Sequence, residues 1–190
     1  TIPTDEWLAE SQSGIIGGYG ARFTIIEATP PRQVVVAYTE PNTPASNPDT
    51  LLKRGTEILE IDGVDIVNGN DVDAINDGLF PEDGDTHTFL VKDVDSTQTR
   101  TVTLTAGQFV SSPVQNLTLL ETDNVTVGYM AFNDHIRPAE AQLVSAIAQL
   151  AEANVSDLVL DLRYNGGGLL AIASQLGYMI AGNQSAGQTF

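Results

Sequence analysis

Hydrophobic positions change rhythm part-way along the chain. From about residue 18 to residue 107 they fall in short runs separated by turn residues. Phe23 to Glu27 and Val34 to Tyr38 are β-branched or aromatic and predict strands. A proline-rich connection through Pro41, Pro44 and Pro48 follows. Glu57-Ile58-Leu59-Glu60-Ile61 then alternates at period two and runs into Asp62-Gly63, a strong turn signal. Asn70 is placed to cap a short helix with Val72, Ile75 and Leu79 along one side and Asp71 and Asp73 at its positive end. Strands near Thr86 to Lys92 and Thr99 to Thr105, joined by a polar turn over 93–98, complete a strand-rich half.

The second half is slower in rhythm. Val125, Val127 and Tyr129 alternate with Gly128 and Met130 in a strand that ends near Phe132. Pro138 suits a first helical turn, and Ile136, Ala139, Leu143, Ile147, Leu150 and Ala151 recur at helical spacing until Asn154 stops them. Val155 to Leu162 is nearly continuous apolar sequence, the texture of a strand covered on both faces. Gly166 to Gly168 break it, and Leu169, Ile172, Ala173, Leu176 and Ile180 form another helical stripe. Strand, helix, strand, glycine loop and helix make a βαβα unit, whose crossover is expected to be right-handed.

Composition narrows the function classes. The 190 residues carry a net charge of −17, with Lys53 and Lys92 as the lysines. Such a surface repels phosphate backbones and argues against a nucleic-acid partner. With no cysteine, disulfides, thiolate metal sites and cysteine nucleophiles are excluded. No apolar run reaches the roughly 18 residues that span a bilayer. The aspartates from Asp62 to Asp85 do not fall into calcium-loop spacing, so neither metal nor cofactor is expected.

The glycine loop carries the chemistry. It follows the carboxyl end of a buried strand and precedes a helix, where open α/β sheets place their ligands. Glycines let backbone come close to a reacting group and leave N–H groups free for a phosphate, a carboxylate or an oxyanion. A tight strand-to-helix turn would leave the same pattern. A nucleotide loop is disfavoured, because Leu169, Leu170 and Ala171 stand where a P-loop carries its polar ligands. His135, after the first strand of the unit, is placed to approach the same cleft, though an exposed loop histidine is the ordinary reading. Ser145 and Ser174 have no assignable base, and His87 begins a strand in the other half.

Leu158-Val159-Leu160-Asp161-Leu162-Arg163-Tyr164-Asn165-Gly166-Gly167-Gly168 resembles the "DLR-x-N-x-G-G" segment of the carboxy-terminal processing (tail-specific) serine peptidases. The resemblance implies that Gly167, with Gly168 beside it, supplies part of an oxyanion hole, and that Asp161, Arg163 and Asn165 brace the loop. Many members have proline where Gly166 stands. It further implies a serine nucleophile and a lysine base downstream of the loop. Neither is matched within this chain, which is therefore expected to bind at best and not to hydrolyse.

The upstream half is similar to a PDZ domain. Gly18-Tyr19-Gly20-Ala21 resembles the carboxylate-binding loop, and Pro44-Ala45 with Leu52 through Gly63 resembles a further PDZ stretch, in which Thr43 and Thr56 replace the usual serine and aspartate. The resemblance implies that Gly18, Tyr19, Gly20 and Ala21 offer N–H groups to a peptide's terminal carboxylate. The strand from Ala21, with Phe23, would pair with the peptide, and Val72, Ile75 and Leu79 would form the opposite wall or the core.

The expectation is thus a mixed α+β and α/β chain. Residues 1–17 form an N-terminal segment, 18–107 a PDZ-like domain, and 108–190 the beginning of an α/β serine peptidase domain. The partners expected are polypeptides with free C-termini, in the periplasm or outside the cell, with membrane anchoring through a removed N-terminal segment as an option. The alternative is a non-catalytic peptide-binding or regulatory protein on the same scaffold.

Overall fold

The computed structural model describes residues 4–122, 125–182 and 186–187. In chain order its first elements are α1 (Thr4–Ser13), β1 (Ile15–Gly18), β2 (Ala21–Glu27), β3 (Gln33–Thr39), a 3-10 turn at Pro44–Ser46, β4 (Glu57–Ile61), β5 (Val64–Asp65), α2 (Val72–Leu79), β6 (Thr86–Lys92) and β7 (Thr99–Thr105). Then come β8 (Gly107–Val110), β9 (Val114–Glu121), β10 (Thr126–Phe132), α3 (Ala139–Glu152), β11 (Asp157–Asp161) and α4 (Leu170–Ala181). These divide into two compact units, one of Ile16–Phe109, the other of the described residues in Thr1–Ile15 and Val110–Phe190. The chain is a mixed α/β protein rich in strands.

In the first of these units the sheet runs β2-β3-β4-β6-β7 with antiparallel neighbours, and β5 pairs with β4. Threonines alternate with apolar residues along β6 and β7, so Phe89, Val91, Val102 and Leu104 face inward while Thr86–Thr105 and Thr88–Thr103 pair through their hydroxyls on the outside. Each fully buried Val, Ile or Phe of this core contributes roughly 1.5–3 kcal/mol. The period-two reading of β4 fails in the middle. A register shift between Ile58 and Glu60 places both Ile58 and Ile61 in the core, because the bulge turns the strand by one residue. The short helix α2 is capped by Asp71 and not by Asn70: the Asp71 side chain accepts from the Ala74 N–H at 3.1 Å. Thr56 is buried and donates to Asp93, which also pairs with Arg100.

The other unit holds a three-stranded sheet in the order β11-β10-β9. β10 is parallel to β11 and antiparallel to β9. Its core is Met130, Phe132, Ala139, Leu143, Ala146, Ile172 and Leu176. The described structure departs from the expectation that β11 is covered on both faces: Val159 is 48% exposed and Leu162 45%. Asn154 stops the crossover helix with φ 53°, as its position suggests. Within the expected N-terminal segment 1–17, Thr4–Ser13 form the helix α1. Gly14, at φ 70°, ends it by donating to the Glu10 carbonyl. Arg137 then donates its N–H to Ser11 and Ser111 to Gly14, which is why α1 belongs to this unit.

Candidate functional site

Parallel pairing of β10 and β11 brings two chain exits to the same end of the sheet. Ala131 lies opposite Asp161, so the segments that follow, 133–136 and 162–169, leave side by side. They join in a single parallel bridge between His135 and Gly168. The His135 N–H donates to the Gly167 carbonyl at 3.1 Å, and the Leu169 N–H donates to the His135 carbonyl at 2.7 Å.

The glycines are not equivalent. Gly168 has φ 128°, and a Cβ there would stand 2.6 Å from the His135 carbonyl oxygen. Gly167 also has positive φ, at 100°, but faces open space. Gly166 has neither constraint. Only the position against His135 is closed to every side chain on both conformational and steric grounds.

Asn165 is the hub of the loop. Its Oδ1 accepts the Gly167 N–H at 2.9 Å and lies 2.7 Å from His135 Nδ1, while its Nδ2 donates to the Phe132 carbonyl at 2.9 Å. The Gly167 N–H, singled out for oxyanion binding by sequence resemblance, is therefore held by a side chain of its own loop. The Gly168 N–H has the opposite disposition. It shares a trans peptide with the Gly167 carbonyl, which is turned towards His135, so the N–H points away from that segment.

Asp161 braces the strand end. It accepts from Arg163 Nε at 2.9 and 3.0 Å and from the Tyr129 hydroxyl at 2.6 Å, and caps the Arg163 N–H at 3.1 Å. The Arg163 guanidinium, followed by the Tyr129 hydroxyl, holds its carboxyl well below the usual carboxylate range. The same contact with Asp161 pushes the Tyr129 hydroxyl up. A carboxylate held this firmly in its charged form is suited to bracing and not to proton transfer at neutral pH.

No nucleophile–base pair forms among the described residues at this site. Ser145 accepts from Gln149 on α3, and Ser174 lies partly buried on α4. Lys53 and Lys92 belong to the other unit, where Lys92 pairs with Glu57 at 3.0 Å. No cluster of potential metal ligands occurs among the described residues.

In the Ile16–Phe109 unit, Gly18 to Ala21 form a tight loop running into β2. Gly18 and Gly20 have φ 124° and 80°, and a Cβ on Gly20 would overlap the Thr43 side chain. The Tyr19 carbonyl accepts from Ala45 and the Gly20 carbonyl from Glu40. With those carbonyls turned towards the 40–45 segment, the N–H groups of Gly20 and Ala21 point the other way. Among the described residues β2 ends the sheet order and pairs only with β3, which leaves its outer edge without a strand partner there.

Tyr19, Ile75 and Leu79 are core residues, 2%, 6% and 5% exposed, whereas Val72 is exposed and Phe23 packs partly buried against the core. The Tyr19 hydroxyl donates to the Gly78 carbonyl of α2 at 3.0 Å, which ties the loop to the helix. Burial, then the charges of Asp62, Asp85 and Asp77, holds that hydroxyl well above the ordinary phenol range, so it stays a donor. Tyr19 therefore acts on the loop from beneath, not as a surface contact. His87 belongs to the Ile16–Phe109 unit, with Nδ1 2.7 Å from Asp62.

Peptidase family S41 matches residues 126–189, which run from β10 through the glycine loop and α4. A carboxyl-terminal-processing protease of Picosynechococcus sp. is 30% identical over 164 residues, covering 86% of this chain and 38% of the relative. The chain is similar to the carboxyl-terminal processing peptidases. Solved structures agree in fold. A photosystem II D1 C-terminal processing protease superposes with a TM-score of 0.56 at 24% identity, over 87% of this chain and 44% of that one. A protein from Bacteroides fragilis described as an S41 protease gives 0.60 at 23% identity, over 90% and 48%. The chain thus spans less than half the length of these family members.

Asn165 was legible only as part of a family segment. Its pairing with His135 was not, because it depends on the parallel register that sets 133–136 beside 162–169.

Proposed function

We propose that this chain is the substrate-binding and oxyanion-side portion of a serine peptidase that captures polypeptide C-termini. The carrying observation is the glycine loop: two positive-φ glycines beyond a parallel strand, with the Gly168 N–H turned away from the loop's own hydrogen bonds. On this reading the Gly167–Gly168 loop faces the scissile carbonyl, and Gly168 donates to its oxygen as negative charge develops there. A serine from the remainder of the protein attacks the carbonyl carbon. A lysine, made a base by a buried setting, takes the serine proton and later returns it to the leaving amine.

The Gly18–Ala21 loop is the proposed tail clamp. The N–H groups of Gly20 and Ala21 receive the terminal carboxylate, and the peptide adds to the open edge of β2 in PDZ fashion. Phe23 and Val72 border the groove, while Ile75 and Leu79 support it from the core. Substrates are polypeptides with free C-termini. The site of action proposed is periplasmic or extracellular; no helix among the described residues is long and apolar enough to cross a membrane.

The test is covalent labelling of the full-length protein with a serine-directed reagent. Labelling of one serine, abolished with activity by its replacement, supports the peptidase. Tail binding without labelling or cleavage replaces it with a non-catalytic binding protein on the same scaffold.

A further inference from the structure

We propose that His135 is a positioning residue of the glycine loop, acting through a proton on Nδ1. The proposal deepens the oxyanion reading above and rests on it for its catalytic consequence.

The tautomer follows from hydrogen-bond chemistry alone. The Phe132 carbonyl can only accept, so the Asn165 atom 2.9 Å from it is the amide nitrogen. The Gly167 N–H can only donate, so the Asn165 atom 2.9 Å from it is the oxygen. Both requirements agree and leave no freedom to flip the amide. Oδ1 bears no hydrogen, so its 2.7 Å contact with His135 Nδ1 needs a proton on that nitrogen. A neutral imidazole has one N–H, and Nε2 is left bare.

This pair fixes the loop from two sides. Two donors fill both lone pairs of Asn165 Oδ1, so rotation of Asn165 would break three hydrogen bonds together. The His135 ring packs against Phe132 with centroids 4.6 Å apart, which limits its own rotation. The Gly167 N–H is then held through Asn165, and the Gly167 carbonyl is held directly by the His135 N–H. Both ends of Gly167 being fixed, the peptide plane that carries the Gly168 N–H is fixed as well. His135 therefore touches no substrate in this proposal. It sets the direction of the donor that does.

Nitrogen-15 NMR of this chain provides the test. Long-range proton–nitrogen correlations of the neutral His135 ring are expected to show protonated Nδ1 and bare Nε2. His135→Phe keeps the ring packing and removes the donor; it is expected to speed hydrogen exchange of the Gly167 amide about tenfold, the effect of one lost hydrogen bond. His135→Asn returns an N–H near the Nδ1 position and is expected to restore most of the protection. In the full-length protein, His135→Phe is expected to lower kcat about tenfold with KM unchanged, with recovery in His135→Asn. A neutral ring with its proton on Nε2 and Nδ1 bare, or Gly167 exchange unaltered in His135→Phe, overturns the proposal. If His135→Phe does not fold, the tautomer and His135→Asn still decide it. Should the full-length protein lack peptidase activity, the oxyanion reading fails, and the spectra judge the His135–Asn165 pair by themselves.

Discussion

The Cα of Gly168 lies so close to His135 that a Cβ built there would stand 2.6 Å from the His135 carbonyl oxygen. This contact fixes how near the loop approaches the segment leaving β10, and it separates one glycine from its neighbours.

Gly168→Ala is expected to destabilise the protein by about 2 kcal/mol or more, through a positive φ and a direct backbone overlap. In thermal unfolding this is a drop of roughly 4–8 °C for a chain of this size. Gly166→Ala, with neither constraint, should stay within about 0.5 kcal/mol of the parent. Equal midpoints for the two variants would contradict the loop geometry.

Asp161→Asn tests the brace at the strand end. The folded carboxyl is held below its ordinary range by Arg163 and Tyr129. Its stabilisation is complete above the unfolded pKa of about 3.9 and is lost as pH falls towards the lower folded value. The parent should therefore exceed Asp161→Asn in urea midpoint at pH 6, with the gap narrowing at pH 3. A gap that does not change with pH would remove the charge from the account.

Tyr19→Phe keeps the core ring and deletes the hydroxyl that donates to Gly78. A loss of about 1 kcal/mol is expected from urea unfolding, with the Gly78 carbonyl left without its donor. A much larger loss, of the size of a cavity, would mean that the ring and not the hydroxyl ties the loop to α2.

For the tail clamp, a peptide with a free terminal carboxylate should bind at least about tenfold more tightly than its amidated form, since charge-assisted N–H bonds are worth about 1.5–3 kcal/mol. Titration calorimetry reads this directly. Matched affinities would argue against carboxylate recognition at Gly20 and Ala21.

Much of this architecture was legible in the sequence, for local reasons. Strands β2, β6 and β7 carry their alternation in neighbouring residues, and Asn154 announces the end of α3 through its tolerance of positive φ. Failures came where the deciding contact was distant. The bulge in β4 depends on its register with β6, which no pattern within Glu57–Ile61 records. Helix α1 lacks a strong apolar stripe and is held by Arg137 and Ser111, far along the chain. At the site, the glycine segment marked the loop, but which N–H is free depends on Asn165 and His135, 30 residues apart. The Gly18–Ala21 motif marks Tyr19 as a loop residue, while the packing shows that its side chain is buried.

The central claim is that the loop ending in Gly168 stabilises an oxyanion during peptide cleavage. Its most direct measurement is steady-state cleavage of a polypeptide with a free C-terminus by the full-length protein, parent against Gly168→Ala, below the unfolding range of both. The account predicts cleavage by the parent and a fall in kcat with KM little changed, because the overlap with His135 shifts the loop and misaims the N–H that alanine retains. The fall is bounded by the roughly 10²–10³ of losing one oxyanion donor outright. Equal kcat in the two proteins, or no cleavage by a parent that still binds the tail, would contradict it.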